Sequence, residues 1–437
     1  MRRTAWGERP LGSRALAVAV AAAIGVLVLA FQAAKRPADS IAGSDVTVYA
    51  TYGEKVLDGD VPYRDFRMEY PPGATPIFVL PATRVVAGGS TEGASWVPLN
   101  AAGRRYYRGF ESLVLALLAA MVVLTALTLR TLRRPARTVL LSLAVVASSP
   151  WLLGQVLTER FDVWPAALTA AALAAAVSGR QRLGGALLGL GAAAKLYPAL
   201  LLPVLVIVVI RQRGVREAIL VAGAAIGAAA AVVLPFAIVS FSGTWDALRS
   251  QFRGGLQIES FASSVLVTTS HAAEKLGGLG LPSPSDLSTH AAGGGLIRID
   301  LGGPGVDATK TVMNVLLAAA LCLLWVGLLR SRRDPREDLL RYAAATVAIV
   351  LVLGTVLSPQ YLAWLIPLVP LVSGRRGMAA VLCFVMAAAL TNVWIPDHYF
   401  DYQSTLAAGP ASLLLARNLA LLAAAVALVL PAPTDEA

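Results

Sequence analysis

Long apolar runs alternate with short basic clusters along this chain. Residues 218–239 carry no charged side chain, and comparable apolar runs recur from residue 15 to residue 430. Each is close to the length a helix needs to cross a hydrocarbon layer of ~30 Å. The pattern predicts membrane-spanning helices near residues 15–33, 110–129, 138–153, 163–178, 218–239, 310–329, 339–357, 361–373, 378–395 and 410–430. Two further apolar segments, 74–108 and 183–210, do not fit a simple crossing. The expected fold is an all-α polytopic membrane protein with about 10–12 transmembrane helices, some of them re-entrant or broken. It forms a single integral membrane domain over residues 1–437, with a first outer loop at 34–75 and a large outer loop at 240–308.

Composition agrees with this reading. Hydrophobic residues make up 57% of the chain and charged residues 14%; a soluble domain carries about 25% charged residues. Mean hydropathy is +0.68. The net charge of +11 is spread over clusters at helix ends rather than along one stripe, which argues against a nucleic-acid partner. The clusters are Arg2/Arg3/Arg9/Arg14, Arg130/Arg133/Arg134/Arg137, Arg180/Arg182, Arg211/Arg213/Arg216, Arg330/Arg332/Arg333/Arg336 and Arg375/Arg376. Basic residues concentrate in cytoplasmic loops. Placing all six clusters inside puts both termini in the cytoplasm and the polar segments 34–75, 154–162, 240–308 and 396–408 outside. The expected location is the plasma membrane, with the first apolar run retained as a span rather than cleaved. Cys322 and Cys383 lie inside apolar runs and read as small core residues. No metal-ligand cluster or redox pair is legible, so neither metal nor cofactor is expected.

Residues 183–210 have basic clusters at both ends, so both ends belong on the same side. Their middle reads Ala-Ala-Ala-Lys195-Leu-Tyr197-Pro198. Proline lacks a backbone donor and disfavours helix at the residue before it. The segment therefore reads as two short helices meeting at residues 195–198. A break at membrane depth is tolerated only where protein or a wet cavity satisfies the freed backbone. A lysine at a helix centre costs about 2.5–3.5 kcal/mol on insertion scales. Lys195 is expected to face a cavity and meet an anion there.

The outer loops hold the candidate chemistry. Asp45-Val-Thr-Val-Tyr49 opens a predicted helix, which Asp45 is placed to cap. Gly59-Asp-Val-Pro-Tyr63 and Asp65 lead to Glu69-Tyr70-Pro71-Pro72, a turn that fixes the chain direction after an acid. A carboxylate in a partly dry cavity can act as general base toward a hydroxyl. Asp162 precedes Val163-Trp164-Pro165 and reads either as a helix cap or as a polar contact of the site. In the large outer loop, Arg253-Gly-Gly-Leu-Gln257-Ile-Glu259-Ser260 offers groups for a phosphate and for sugar hydroxyls. Ser358-Pro-Gln360-Tyr361-Leu-Ala-Trp364 reads as a tight outer turn in which Gln360 can hydrogen-bond a sugar or phosphate.

In order and placement these motifs, with Phe161-Asp162 and Ala194-Lys-Leu-Tyr-Pro198, resemble glycosyltransferase family 87, a membrane family of the GT-C type. That family includes the phosphatidylinositol-mannoside mannosyltransferases of mycobacteria. The resemblance spans residues 45–364 and implies a helical bundle with a cavity open to the outer leaflet. It further implies transfer of a sugar, typically mannose, from a polyprenyl-phosphate donor to a glycolipid or glycan acceptor at the extracytoplasmic face. On this reading Asp45 is the first choice of catalytic acid and Asp65 or Glu69 the second. The implied substrate contacts are Tyr49, Tyr63, Tyr70, Asp162, Lys195, Tyr197, Arg253, Gln257, Glu259, Ser260, Gln360 and Tyr361, with membrane lipids as surroundings. The Ala- and Arg-rich composition resembles that of a high-GC actinobacterial genome. The expected reaction is a single displacement with inversion, needing no divalent metal. A polytopic transporter or lipid flippase is the alternative, since broken helices around a buried lysine also serve transport.

Overall fold

The computed structural model describes residues 6–35, 44–86, 100–251, 254–276, 282–292, 298–395 and 397–430. The chain separates into two compact units, Met1–Gln251 with Ile366–Leu371, and Phe252–Leu365 with Val372–Ala437.

The first unit is helical. Its elements are α1 (Ser13–Ala34), α2 (Asp45–Leu57), α3 (Thr75–Val86), α4 (Ala101–Thr131), α5 (Ala136–Leu153), α6 (Gln155–Thr158), α7 (Val163–Val177), α8 (Gln181–Ala194), α9 (Leu202–Arg213), α10 (Val215–Val239) and α11 (Phe241–Ser250). The second unit holds α12 (Phe261–Lys275), α13 (Val306–Arg330), α14 (Pro335–Leu353), α15 (Gly374–Trp394), α16 (Tyr399–Thr405) and α17 (Ala408–Val429). It also holds a small antiparallel sheet of β1 (Leu256–Gln257), β2 (Ser288–Ala292) and β3 (Arg298–Gly302), in the order β1-β3-β2. Register pairs Gln257 and His290 with Asp300. The polar 240–308 segment is therefore built from helix and sheet rather than loop alone.

Among the described residues, seven helices are long and apolar enough to cross a membrane: α1, α4, α5, α10, α13, α15 and α17. Their outward faces are apolar. Ile219, Ile226, Leu234 and Ile238 on α10 and Val315 and Leu323 on α13 are all exposed. Apolar surface on that scale is covered by lipid in a polytopic protein. The chain is a multi-pass helical membrane protein.

Helices stand at every predicted span except residues 361–373. That stretch forms two short 3-10 helices, Pro359–Leu365 and Val369–Leu371, buried within the protein. Pro359, Pro367 and Pro370 remove backbone donors at intervals too short for an α-helix to extend between them. Ser142 Oγ on α5 donates to the Pro370 carbonyl at 2.6 Å and satisfies one of the freed groups.

The segment around Lys195 is a hairpin. Its open ends meet, with Gln181 Nε2 donating to Gln212 Oε1 and Arg213 donating to the Gly179 carbonyl at 3.2 Å. Arg182 pairs with Glu217 at the same end, at 2.8 Å. The tip is extended backbone at Lys195 (φ −157°, ψ 138°) followed by a 3-10 turn, Tyr197–Leu201. The two short helices meet at residues 195–198 and their far ends lie together, in keeping with the basic clusters that flank both ends. The hairpin carries Lys195 inward, away from its basic ends.

Candidate functional site

The first-loop acids begin at α2. Ser44, not Asp45, caps this helix: its Oγ accepts from the Val46 amide at 3.3 Å. Asp45 occupies the first helical position instead, which frees its carboxylate from the cap. Its Oδ2 is ion-paired to Arg160 Nη1 and accepts from the Tyr49 hydroxyl at 3.4 Å. The Asp45 side chain is 17% exposed, so it is sheltered and not turned into bulk solvent. Among the described residues both contacts fall on Oδ2, and Oδ1 is the oxygen left to meet a hydroxyl.

Behind Asp45 lies an aromatic wall. Tyr49 stacks on Phe78 at 4.6 Å and meets Phe110 at 5.5 Å and Phe161 edge-on at 5.8 Å. Tyr70 meets Phe161 edge-on at 4.7 Å. Aromatic pairs in these geometries contribute about 0.5–1.5 kcal/mol each beyond burial. Burial, with the charge of Asp162 nearby, pushes the Tyr49 and Tyr70 hydroxyls well above the ordinary phenol range, so both stay neutral donors. Tyr63 adopts a left-handed backbone (φ 69°) and donates to the Tyr70 carbonyl at 2.6 Å. Its own carbonyl accepts from Ser240 Oγ at 2.9 Å. Those bonds hold the strained residue in place. Tyr63 and Tyr70 thus shape the loop as well as line it.

The two residues after Arg160 complete the arrangement. Asp162 sits at the start of α7 but makes no side-chain cap; its Oδ1 lies 3.0 Å from Lys195 Nζ. The intervening Phe161 ring lies 4.8 Å from the same Nζ. Asp162 is 1% exposed and Lys195 8% exposed, so this is a buried ion pair. The tripeptide Arg160-Phe161-Asp162 therefore holds Asp45 at one end and Lys195 at the other. Tyr197, beyond the hairpin tip, shares a 3.0 Å hydrogen bond with Thr169 of α7. The Tyr70-Pro71-Pro72 turn reaches the same tip. A Cβ on Gly73 would stand 2.6 Å from the Ala193 carbonyl carbon, and the Gly73 carbonyl accepts from Trp164 Nε1 at 3.0 Å.

Asp65 and Glu69 have other surroundings. Asp65 is exposed, accepts from the Val61 amide at 2.7 Å and pairs with its neighbour Arg64 at 2.7 Å. Those bonds lower its carboxyl to about 2. Glu69 is half-buried; its carbonyl accepts from Gln251 Nε2 at 2.9 Å. Tyr52, stacked on Phe66 at 5.8 Å, is pushed up to about 12 by burial first and by the charge of Glu69 second.

The second unit gathers the remaining candidates, apart from Arg253, which lies outside the described residues. Gln257 Nε2 donates to Glu259 Oε2 at 2.5 Å and to Ser358 Oγ at 3.1 Å. Ser260 caps α12, accepting from the Ser263 amide at 3.2 Å. Gln360 is half-buried at the start of the 3-10 helix, and Tyr361 stacks on Trp364 at 4.1 Å. The structure joins the Gln257–Ser260 strand end to the Ser358 turn, two motifs a hundred residues apart. It also adds residues that motif reading passed over. Arg417 Nη2 and Asn418 Nδ2, on α17, donate to the Glu259 carbonyl at 2.9 and 3.3 Å. Arg417 is a lone charge within an apolar run, and that was its signal. Arg160 was likewise legible as the cation between Glu159 and the Phe-Asp motif.

Comparison with known families decides the class. The sequence model of glycosyltransferase family 87 matches residues 69–359, well over half of the chain. The chain belongs to glycosyltransferase family 87. Every motif from Glu69 to Ser358 falls inside the matched region. The family-87 chain also aligns with crystal structures of ArnT from Cupriavidus metallidurans. One, bound to undecaprenyl phosphate, aligns at 13% identity and TM-score 0.46 over 96% of this chain and 77% of that one. The other, in the apo state, gives 12% and 0.43 over 95% and 76%. These alignments are loose, and the family assignment rests on the sequence model. A search of curated proteins found no match. As a family-87 member with apolar spans, the protein is a membrane glycosyltransferase.

Proposed function

We propose that this glycosyltransferase, a GT-C-type enzyme, moves a sugar, mannose in the first instance, from a polyprenyl-phosphate donor to a hydroxyl of a glycolipid or glycan acceptor. The site faces the extracytoplasmic side and both termini are cytoplasmic. The observation that carries this reading is the placement of Asp45. It is a sheltered carboxylate, fixed by Arg160 and Tyr49, and Arg160 stands two residues before Asp162, the partner of the buried Lys195.

Asp45 takes the proton from the acceptor hydroxyl through Oδ1, the oxygen opposite its two contacts. The acceptor oxygen attacks the anomeric carbon, the bond from that carbon to the phosphate oxygen breaks, and the lipid phosphate leaves with the electron pair. One displacement inverts the anomeric centre. Lys195 meets the growing phosphate charge. Fixed positive groups where charge develops lower the barrier. Asp162 balances Lys195, which keeps a buried ammonium from standing alone.

The test uses the purified protein in lipid nanodiscs with polyprenyl-phosphate mannose and a crude lipid acceptor pool. Mannose appearing on an acceptor lipid supports the reading. Movement of a lipid-linked sugar across a bilayer, with no transfer from any lipid-linked sugar, would replace it with transport.

A further inference from the structure

Helix α11 follows the apolar helix α10 after a break at Ser240, where the backbone leaves the helical region (φ −149°, ψ 89°). The short helix presents three faces. Thr244 and Ala247 are buried. Ser242, Asp246 and Arg249 are polar and exposed. Phe241 and Trp245, one helical turn apart, are 71% and 53% exposed, and their rings lie parallel with centroids 6.5 Å apart. Leu248, half-buried, extends the same stripe by helical spacing. That stripe continues an apolar surface already assigned to lipid, because Leu234, Ile238 and Val239 at the end of α10 are exposed as well. A helix with one apolar and one polar outer face, starting where a span ends, lies in the plane of the membrane surface. Tryptophan and other aromatic rings settle at that depth.

The rest of α11 grips the loop between Tyr63 and Tyr70. Before its first turn, Ser240 Oγ donates to the Tyr63 carbonyl at 2.9 Å. Gly243 packs so closely that a Cβ there would run into the same carbonyl. Just past its last turn, Gln251 Nε2 donates to the Glu69 carbonyl at 2.9 Å. The Tyr63 ring also meets Phe236 of α10 edge-on at 5.6 Å. From there the contacts lead to the site: Tyr63 bonds the Tyr70 carbonyl, the Tyr70 ring meets Tyr49 edge-on at 5.7 Å, and Tyr49 bonds Asp45. All of these residues belong to the first compact unit.

We propose that α11 is an interfacial helix that seats Phe241 and Trp245 at the boundary between lipid headgroups and acyl chains, and that this seat fixes the height of the 63–70 loop at the membrane surface. Its partner is the bilayer itself. On the donor reading above, that height sets where Asp45 meets a phosphate anchored by its lipid tail; the seat itself does not rest on that reading.

The test uses the full chain in nanodiscs of phosphatidylethanolamine and phosphatidylglycerol, with Cys322→Ala and Cys383→Ala as background. Nitroxide labels are placed singly through Phe241→Cys, Trp245→Cys and Asp246→Cys, and their collisions with oxygen and with a water-soluble nickel chelate are compared. The labels at 241 and 245 should favour oxygen, which concentrates in the hydrocarbon, and the label at 246 should favour nickel. Labels at 241 and 245 as open to nickel as that at 246 overturn the seat. Labels shut off from both reagents place protein, such as a second copy of this chain, on the stripe and overturn it too. Hydrogen exchange reads the link to the loop. Phe241→Ser with Trp245→Ser should speed exchange of the Tyr63 and Asp65 amides, which bond the Phe66 and Val61 carbonyls, by about tenfold. Phe241→Leu with Trp245→Leu keeps an apolar stripe and should stay within about twofold of wild type. Where the serine pair fails to fold, Trp245→Ser alone serves, with a smaller effect of the same sign. Unchanged exchange in the serine variants overturns the hold on the loop. A wild-type protein that transfers no sugar, with both labels seated, overturns the donor reading and leaves the interfacial helix standing.

Discussion

Lys195 Nζ lies 3.0 Å from Asp162 Oδ1, and the ring of Phe161 lies 4.8 Å from the same nitrogen. A buried lysine at a hairpin tip is therefore held by two consecutive residues of another loop. Removing one partner of such a pair strands the other charge, at a cost of roughly 3–5 kcal/mol. Asp162→Asn should lower thermal stability in detergent markedly. Asp162→Leu combined with Lys195→Met should restore much of the stability while abolishing sugar transfer. Equal stability of Asp162→Asn and wild type would show that the pair does not hold the tip.

Gly73 and the hairpin tip touch so closely that only glycine fits. Its added Cβ would meet backbone, not a side chain that can swing away. Overpacking of this kind costs about 1–3 kcal/mol. Gly73→Ala is expected to lower the melting temperature and to raise protease sensitivity near residues 193–198. An unchanged melting curve would mean that the Tyr70-Pro71-Pro72 turn is not seated on the tip.

Asp65 gives a pH prediction of known sign. Its folded-state carboxyl is lowered to about 2, first by the Arg64 hydrogen bond and then by the Val61 amide. Its contribution to the 61–65 turn is thus fully present above the ordinary aspartate value of about 3.9 and is lost as pH falls toward 2. Exchange of the Val61 amide should be flat from pH 8 to about 4 after correction for intrinsic rates, and speed up below that. Asp65→Asn should remove the dependence. A carboxylate so acidic is also a weak base, so Asp65→Asn is expected to cost far less turnover than the same change at Asp45. A comparable loss would move the base role to Asp65.

Arg160 fixes the orientation of Asp45 without being the base. Arg160→Met should lower kcat by about tenfold or more while changing donor affinity little, because a misplaced group loses rate before binding. Arg160→Lys should recover part of it. Donor affinity falling in step with kcat would indicate a direct lipid contact instead.

Much of this architecture was legible in the sequence. Apolar runs marked the spans because side chains facing lipid must be apolar, while a helix satisfies its own backbone groups by internal hydrogen bonds. The pair Tyr197-Pro198 beside Lys195 announced the broken hairpin. Residues 361–373 were misread because hydropathy responds to side chains, whereas the three prolines act on the backbone. Ser44 displaced Asp45 as cap because capping depends on one residue of register, which composition does not show. Arg160, Arg417 and Asn418 were missed because their partners come from distant segments, and only folding reveals those pairings. Gln257 and Ser358 were each singled out from sequence, but their hydrogen bond was not foreseeable.

The central claim is that Asp45 removes the acceptor proton. The most direct test is the single-turnover rate of mannose transfer from polyprenyl-phosphate mannose by Asp45→Asn against wild type, with donor binding measured alongside. Loss of a general base predicts a fall of roughly 10²–10⁴-fold with binding retained. A rate within about threefold of wild type would contradict the assignment.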